Sequence, residues 1–292
     1  MKPNQRSSYA DRIERAITYL QHSLADGDAP KIDQLAAAAA LSIYHFHRVF
    51  HVMTGETIGA AVTRARLGGS LPMLNDNIMA ATARAGYSTS QAYARALRKQ
   101  ANVTPSQLKN DADRCSEVAS ELSRPATKRS ETMPALQISI ESLAPLRLAV
   151  LRNIGDYSEL NQGFDLLFGQ LMEHMPPENI SGLYGIPYDD PREVVAQDCR
   201  FDCAVTTFEN TPIGSGVHET LIEGGLALCM THAGDYDQIH AAIDDLYREA
   251  MLADLPIADG PLLIHYLDDP EEVAVDRLRA YVYLSLDSIA SA

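Results

Sequence analysis

The stretch Leu41-Ser42-Ile43-Tyr44-His45-Phe46-His47-Arg48-Val49-Phe50 decides the fold, because its pattern returns in Tyr87-Ser88-Thr89-Ser90-Gln91-Ala92-Tyr93-Ala94-Arg95-Ala96-Leu97. An aromatic, an arginine and an apolar residue recur in order: Phe46, Arg48 and Phe50, then Tyr93, Arg95 and Leu97, each pair 47 positions apart. The same offset carries Gly55 onto Asn102, two residue types that end helices in the left-handed conformation. A constant offset over such a length is the mark of one helical unit used twice.

Each copy has the layout of a helix-turn-helix. A short alanine-rich helix, Ile32 to Ala40 or Met79 to Ala85, runs into a turn, and Ser42 or Ser88 is placed to cap the next helix. Phe46 and Phe50, like Tyr93 and Leu97, stand at i, i+4 spacing and define a buried face. The polar residues between them are expected to face outward: Tyr44, His45, His47, Arg48 and His51 in the first copy, Thr89, Ser90, Gln91 and Arg95 in the second. Arginine can bond guanine in bidentate fashion and glutamine can bond adenine, so these side chains suit base edges. A single arginine on a helix is ordinarily a solvated side chain. Two at equivalent repeat positions beside capped turns favour DNA contact. His47 and His51 are spaced like metal ligands, but no third ligand accompanies them, and a polar surface facing DNA is the better reading; no metal site is expected.

This half resembles the AraC/XylS family of bacterial transcription regulators. The resemblance rests on Leu35-Ala36, Leu41-Ser42 with Phe46-His47-Arg48-Val49-Phe50, Thr54-Gly55-Glu56, Arg66-Leu67, Ala85-Gly86-Tyr87 with Tyr93-Ala94-Arg95, and Val103-Thr104-Pro105-Ser106. It implies that Arg48 and Arg95, with Tyr44, His47, Ser90 and Gln91 beside them, fall where the family contacts bases. It also implies double-stranded DNA and RNA polymerase as partners. The connecting helix departs from the family, reading Arg66-Leu67-Gly68-Gly69-Ser70-Leu71-Pro72 where a run of good helix formers is usual. Each glycine costs about 1 kcal/mol in a helix interior and proline about 3. That helix is expected to bend or end early.

The length of 292 residues and a hydrophobic content of 46% suit two domains with sizeable cores. No run of about 18 apolar residues and no signal peptide is present, so a cytoplasmic protein without a membrane partner is expected. Cys115, Cys199, Cys203 and Cys229 form no CxxC pattern and read as reduced thiols; no cofactor is implied. The net charge of −15 is divided unevenly. Residues 1–112 hold 13 Lys and Arg against 8 Asp and Glu, a balance of +5, and the remainder holds 11 against 31, a balance of −20. A basic half fits a polyanion, and an acidic half repels it.

The domain boundaries follow. Residues 1–111 form an all-α DNA-binding domain, with two helix-turn-helix units at about 31–53 and 78–100, preceded by an amphipathic helix from Tyr9 to Leu24 and closed by a helix after Thr104-Pro105. Residues 112–135, rich in Ser, Thr and charge without strong periodicity, read as a linker. Beyond it a second repeat begins, with copies at about 136–208 and 217–288. Gly155-Asp156-Tyr157 returns as Gly234-Asp235-Tyr236, and Asp189-Asp190-Pro191 returns as Asp268-Asp269-Pro270, both 79 positions later. In each copy a β-branched run (Leu146 to Asn153; Leu226 to His232) reads as a strand, followed by a helix (Glu159 to Glu173; Gln238 to Ala253) that Pro176-Pro177 or Pro256 ends. Two short strands complete each copy, and Gly214-Ser215-Gly216 marks the turn between copies. The expected architecture is α+β, a pseudo-two-fold pair of β-α-β-β units with both helices on one face of an antiparallel sheet.

The second half resembles the GyrI-like effector-binding domain, through Arg152-Asn153-Ile154-Gly155-Asp156-Tyr157, Tyr184-Gly185-Ile186-Pro187-Tyr188-Asp189-Asp190-Pro191, Thr231-His232-Ala233-Gly234-Asp235-Tyr236 and His265-Tyr266-Leu267-Asp268-Asp269-Pro270. The resemblance implies an aromatic-lined cleft between the copies for a small-molecule effector, often with a glutamate two residues before the tyrosine equivalent to Tyr266. Here that position is Ile264, so a largely apolar ligand is expected. Tyr184, Tyr188, His265 and Tyr266 come from matching central strands and are the candidate lining, with Glu223 or His265 as candidate substitutes for the missing acid. Tyr157 and Tyr236 read as packing residues, and Asp189-Asp190-Pro191 as a turn. The function expected is a ligand-sensing transcriptional regulator. The alternatives are a GyrI-like small-molecule hydrolase, which would want a carboxylate in the cleft, a ligand- or toxin-sequestering protein, and a module whose acidic half docks on a basic partner.

Overall fold

The computed structural model describes residues 5–125, 137–174, 176, 180, 182–208, 213 and 215–287. It divides into a helical unit, residues 10–130, and a second unit made of residues 131–292 with the first nine residues. The linker expected beyond Pro125, the stop at Pro177 and the turn at Gly214 fall outside the described residues.

The helical elements are α1 (Gln5–Asp26), α2 (Ile32–Ala38), α3 (Ile43–Thr54), α4 (Ile58–Ser70), α5 (Ile78–Arg84), α6 (Ser90–Ala101), α7 (Pro105–Leu108) and α8 (Ala112–Ser123). Both copies end as their sequences predict: Gly55 and Asn102 take the left-handed conformation at φ 72° and 53° and close α3 and α6. Ser42 caps α3 by accepting the His45 N–H. In the second copy the cap is Thr89, which accepts the Ala92 N–H at 3.2 Å, and not Ser88. The repeat offset itself aligns Thr89 with Ser42, so the cap obeys the repeat more strictly than the first reading of the turn.

Residues 112–123 are a correction. They form α8, capped by Asp111, which accepts the Arg114 N–H at 2.9 Å, and they bury Cys115, Val118 and Leu122 against Leu67, Leu71, Tyr93 and Leu97. Three small or medium apolar residues carry this face, too weak a stripe to be read among the surrounding charges. The same helix explains Gly68, where a β-carbon would stand 3.1 Å from Leu122 Cβ, so glycine lets α8 run close to α4. Pro72 does end the connecting helix early. After Ser70 the chain continues as a 3₁₀ turn, Leu71–Leu74, with proline in its first turn, where its missing N–H leaves no bond unmade. Inside the unit Arg64 donates to both carboxylate oxygens of Glu56 and to the Leu122 carbonyl at 2.6 Å, a buried and fully used guanidinium.

The second unit is one antiparallel sheet. Its strands are β1 (Ile138–Leu143), β2 (Leu146–Ile154), β3 (Leu183–Pro187), β4 (Arg200–Thr206), β5 (His218–Ile222), β6 (Gly225–Ala233), β7 (Leu263–Tyr266) and β8 (Arg279–Ser285), in the order β1-β6-β8-β7-β3-β4-β2-β5. Each copy carries the expected β-α-β-β unit, with α9 (Leu160–Met172) or α10 (Ile239–Leu252), and one further strand ahead of it. The extra strands, β1 and β5, are exchanged: β1 of the first copy pairs with β6 of the second, and β5 of the second pairs with β2 of the first. Both lie at sheet edges, half solvated, and a strand with one neighbour carries little of the apolar pattern that announces a central one. Helix α9 packs on β2 and β4, and α10 on β6 and β8. At Gly163 a β-carbon would stand 2.8 Å from Cys203 Sγ, so this glycine sets the close approach of α9 to β4.

The repeat is exact at its turns. Tyr157 Oη donates to the Arg200 carbonyl at 2.6 Å and Tyr236 Oη to the Arg279 carbonyl at 2.8 Å, while Asp189 and Asp268 each bind the guanidinium of the same arginine. Asp190 accepts the Arg192 N–H and Asp269 the Glu271 N–H, the turn expected of these aspartates beside proline.

Candidate functional site

The two copies of the helix-turn-helix present their polar residues differently. On α6, Tyr93 and Leu97 are buried, with the Tyr93 hydroxyl 3.0 Å from Ser70 Oγ, and the opposite face is open. Gln91 and Arg95 are exposed, Ser90 is half-buried, and Thr89 is exposed with its hydroxyl accepting the cap bond. Arg98 and Lys99 are exposed too and stand one turn beyond Arg95, so the stripe Gln91, Arg95, Arg98, Lys99 is longer and more basic than the candidate set. The i, i+3 and i, i+4 spacing from Arg95 was the signal for these two.

On α3 the outward face is not open. Phe46, Val49 and Phe50 are buried as expected, but so are His45, His47 and Arg48, the last with 0% exposure; Tyr44 and His51 are half-buried. His45, His47 and Arg48 thus depart from the exposure expected of them, while Tyr44 and His51 keep part of theirs. The apolar period identifies the face that meets the module's own core, yet it cannot exclude burial of a polar face whose groups find partners. All five are engaged, which is what makes enclosing a guanidinium tolerable.

In the second unit the candidate lining is split between the two faces of the sheet. Tyr184 pairs with His265 across β3 and β7, on the face away from the helices, and their rings stack at 4.4 Å and 14°. Tyr281 and Tyr283 continue this row at 6.3 and 6.1 Å between successive rings. Tyr188 lies under the guanidinium of Arg152 at 4.3 Å, and Arg152 is itself paired with buried Asp202. Burial lowers the His265 pKa and favours its neutral form.

Tyr266 points the other way, into the helix side, where its ring meets Phe164 of α9 at 5.7 Å and Tyr236 at 4.9 Å. Burial raises its phenol pKa, so it stays a neutral hydroxyl. Beneath it β3 and β7 run in register with Gly185 opposite Ile264. A β-carbon at Gly185 would stand 2.4 Å from Phe201 Cζ and 3.1 Å from Tyr266 Cε2. Rings from both copies therefore gather here: Phe201 of the first and Tyr266 of the second lie over Gly185, and Phe164 of the first and Tyr236 of the second meet the Tyr266 ring. Phe164 is legible in the sequence only as an apolar helix position matched by Ile243 in the second copy, and Phe201, matched by Ala280, belongs to no repeated aromatic motif. Glu223 is exposed in the turn between β5 and β6, and no described contact joins it to either aromatic group. The four cysteines are buried free thiols; burial pushes Cys203 and Cys229 up to about 12, so neither is a ready nucleophile.

The helical domain and the duplicated sheet together define a class of protein, a helix-turn-helix regulator that carries a small-molecule binding domain. Residues 136–287 match the GyrI-like small molecule binding domain and residues 35–111 a helix-turn-helix domain. The chain belongs to the GyrI-like family and is a helix-turn-helix transcriptional regulator of that build. A DNA gyrase inhibitor of Edwardsiella piscicida is 33% identical over 141 residues, 46% of this chain and 88% of that protein. The probable transcriptional regulator YgiV of Escherichia coli (strain K12) is 29% identical over 114 residues, 38% of this chain and 71% of that protein. The HTH-type transcriptional regulator Rv1931c of Mycobacterium tuberculosis is 34% identical over 86 residues, 28% of this chain and 33% of its own length. Among the described residues no helix is long and apolar enough to cross a membrane.

Proposed function

We propose that the chain selects a DNA sequence through the open face of α6, and that its GyrI-like domain takes a small, largely apolar effector at the convergence of rings above Gly185 and Ile264. Its place of work is the bacterial cytoplasm and its protein partner RNA polymerase. The observation that carries the DNA reading is the exposed stripe Gln91, Arg95, Arg98 and Lys99 on a helix whose other face is core. Such a helix can offer side chains to base edges while phosphate contacts fix its register. Relatives named transcriptional regulators support the same reading.

The effector site follows from the family and from chemistry. Aromatic rings of both copies face one another where the family acid is replaced by Ile264, and the Tyr236 hydroxyl is spent on the carbonyls of Asp268 and Arg279. What remains is ring surface, which favours an uncharged ligand. The Ile264 side chain also removes the carboxylate that hydrolysis would use, so the domain is read as a binder and not as an enzyme.

The test is selection of duplexes from a random pool, repeated with Arg95→Ala and Arg48→Ala. Enrichment of a motif that Arg95→Ala relaxes supports α6 as the reader; no enrichment at low salt sinks the regulator reading for this chain. A motif with a second segment lost only in Arg48→Ala means that α3 also reaches bases. For the effector, an apolar dye panel is compared on Tyr266→Ala and His265→Ala. These neighbours stand on opposite faces, so the variant that loses binding names the face.

A further inference from the structure

The helical unit contains a cavity of about 330 Å³ that DNA reading does not use, framed by α1, α4, α5 and the end of α8. Its volume lies at the lower end of the ~300–1,000 Å³ common for small-molecule sites. The walls are apolar where Ile17, Leu20 and Leu24 of α1 face Ala61 and Ala65 of α4, and cationic where Arg66 and Arg84 line it. The third arginine in the wall, Arg64, is neutralised by Glu56 and has every guanidinium nitrogen bonded. Arg84 donates one bond, to the Ala25 carbonyl at 3.0 Å, and neither it nor Arg66 has a carboxylate partner among the described residues. Two unneutralised guanidiniums therefore border an apolar hollow.

Gly69 adds an independent observation. The Gly68-Gly69 pair interrupts a helix that would hold better with alanine. Close packing against Leu122 requires Gly68, whereas a β-carbon at Gly69 would meet nothing within 4 Å, so packing does not require glycine there. Gly69 lines the cavity. With no β-carbon there, the space beside this stretch of the wall is left open.

We infer that this cavity is a second ligand site, in the DNA-binding unit itself, for a small organic carboxylate with a ring-sized apolar body. The carboxylate sits between Arg66 and Arg84, whose planar forks match it in geometry and charge. The apolar body lies along Ile17, Leu20 and Leu24. Because α4 joins the two helix-turn-helix copies, an occupant touches the element that spaces them.

The probe is 2-naphthoate, whose fluorescence can be followed directly in a chain without tryptophan. Titration of the full chain should show saturable binding. Gly69→Leu and the pair Arg66→Gln with Arg84→Gln should each weaken it by about tenfold or more. Gly69→Ala, which leaves most of the hollow open, should bind as the parent does. The neutral analogue 2-naphthylmethanol should bind more weakly than the carboxylate. Helical circular dichroism confirms that each variant is folded, and the arginine pair tests the site without altering α4 packing if Gly69→Leu fails to fold. Either absence of 2-naphthoate binding or binding that survives the arginine substitutions would overturn the inference.

Discussion

Gly185 and Ile264 face each other in register across β3 and β7, and they are the same position of the two repeats, 79 residues apart. The pseudo-two-fold axis therefore passes through this residue pair. One copy has given up its side chain there, and the other keeps a branched apolar one. The asymmetry makes room for Phe201 and Tyr266, whose rings lie over the glycine. Gly185→Ala is predicted to destabilise the domain by about 1–3 kcal/mol, the usual cost of overpacking, because the nearest atom at 2.4 Å belongs to a fully packed ring and not to a flexible tip. Thermal unfolding should show a clear fall in Tm; an unchanged Tm would mean that Phe201 can turn aside and that the glycine is not enforced.

The Glu56–Arg64 pair supports a second prediction, in the helical unit. Both side chains are buried, with 7% and 6% of the residue exposed. Glu56→Gln removes the charge that Arg64 faces while leaving a buried guanidinium behind, and breaking such a pair from one side costs about 3–5 kcal/mol. Replacing both residues together, with Glu56→Leu and Arg64→Met, should recover most of that loss. Urea unfolding of the single and double variants decides the matter, and equal destabilisation of the two would assign the cost to the Leu122 carbonyl contact instead.

The symmetric hydroxyls give a paired measurement. Tyr157→Phe and Tyr236→Phe each remove the donor that ties a turn to the carbonyl of Arg200 or Arg279. Each should cost about 0.5–1.5 kcal/mol, the net value of one hydrogen bond plus part of the penalty for the stranded carbonyl. The two losses should add, since no bond is shared. A cooperative loss would show that the turns communicate across the axis.

Much of this construction was legible in the residues. Both repeats, the left-handed ends at Gly55 and Asn102, the paired turns and the central strands follow from spacing and from residue types with one conformational use. What escaped did so for identifiable reasons. β1 and β5 are edge strands, and their pairing is with the opposite copy, a choice that local sequence does not encode. The buried face of α8 is carried by Cys115, Val118 and Leu122 alone. Arg48 is polar and yet enclosed, because polarity does not imply exposure where a guanidinium has partners. Tyr266 was grouped with His265, its chain neighbour, although alternation along a strand sends consecutive side chains to opposite faces.

His265 provides a pH test. Burial against Tyr184 holds its pKa below the ordinary 6.5, so the folded chain takes up its proton later than the unfolded chain as pH falls. The unfolded state binds more protons in that window, and stability rises with pH there. The contribution is complete above about 6.5 and is lost as pH falls through the folded value. Denaturant unfolding at a series of pH values from about 7 to about 5 should show a shallower slope in His265→Gln than in the parent. Identical slopes would mean that the imidazole titrates freely.

The last prediction separates the two kinds of contact that α6 can make. Arg95 stands one turn after Gln91 on the open face, and Arg98 and Lys99 follow near the carboxy-terminal end of the helix. Recognition helices read base edges from their first turns, so Arg95 is placed for sequence choice and the later pair for the phosphate backbone. Arg95→Ala should cost about 1–3 kcal/mol on the selected duplex and much less on random DNA. Arg98→Ala should weaken both duplexes alike and reduce the slope of log affinity against log salt by about one unit. Binding measured at several salt concentrations distinguishes these outcomes. If Arg95→Ala instead lowers the salt slope and affects both duplexes equally, Arg95 is a phosphate contact, and sequence reading on α6 falls to Gln91 and Ser90.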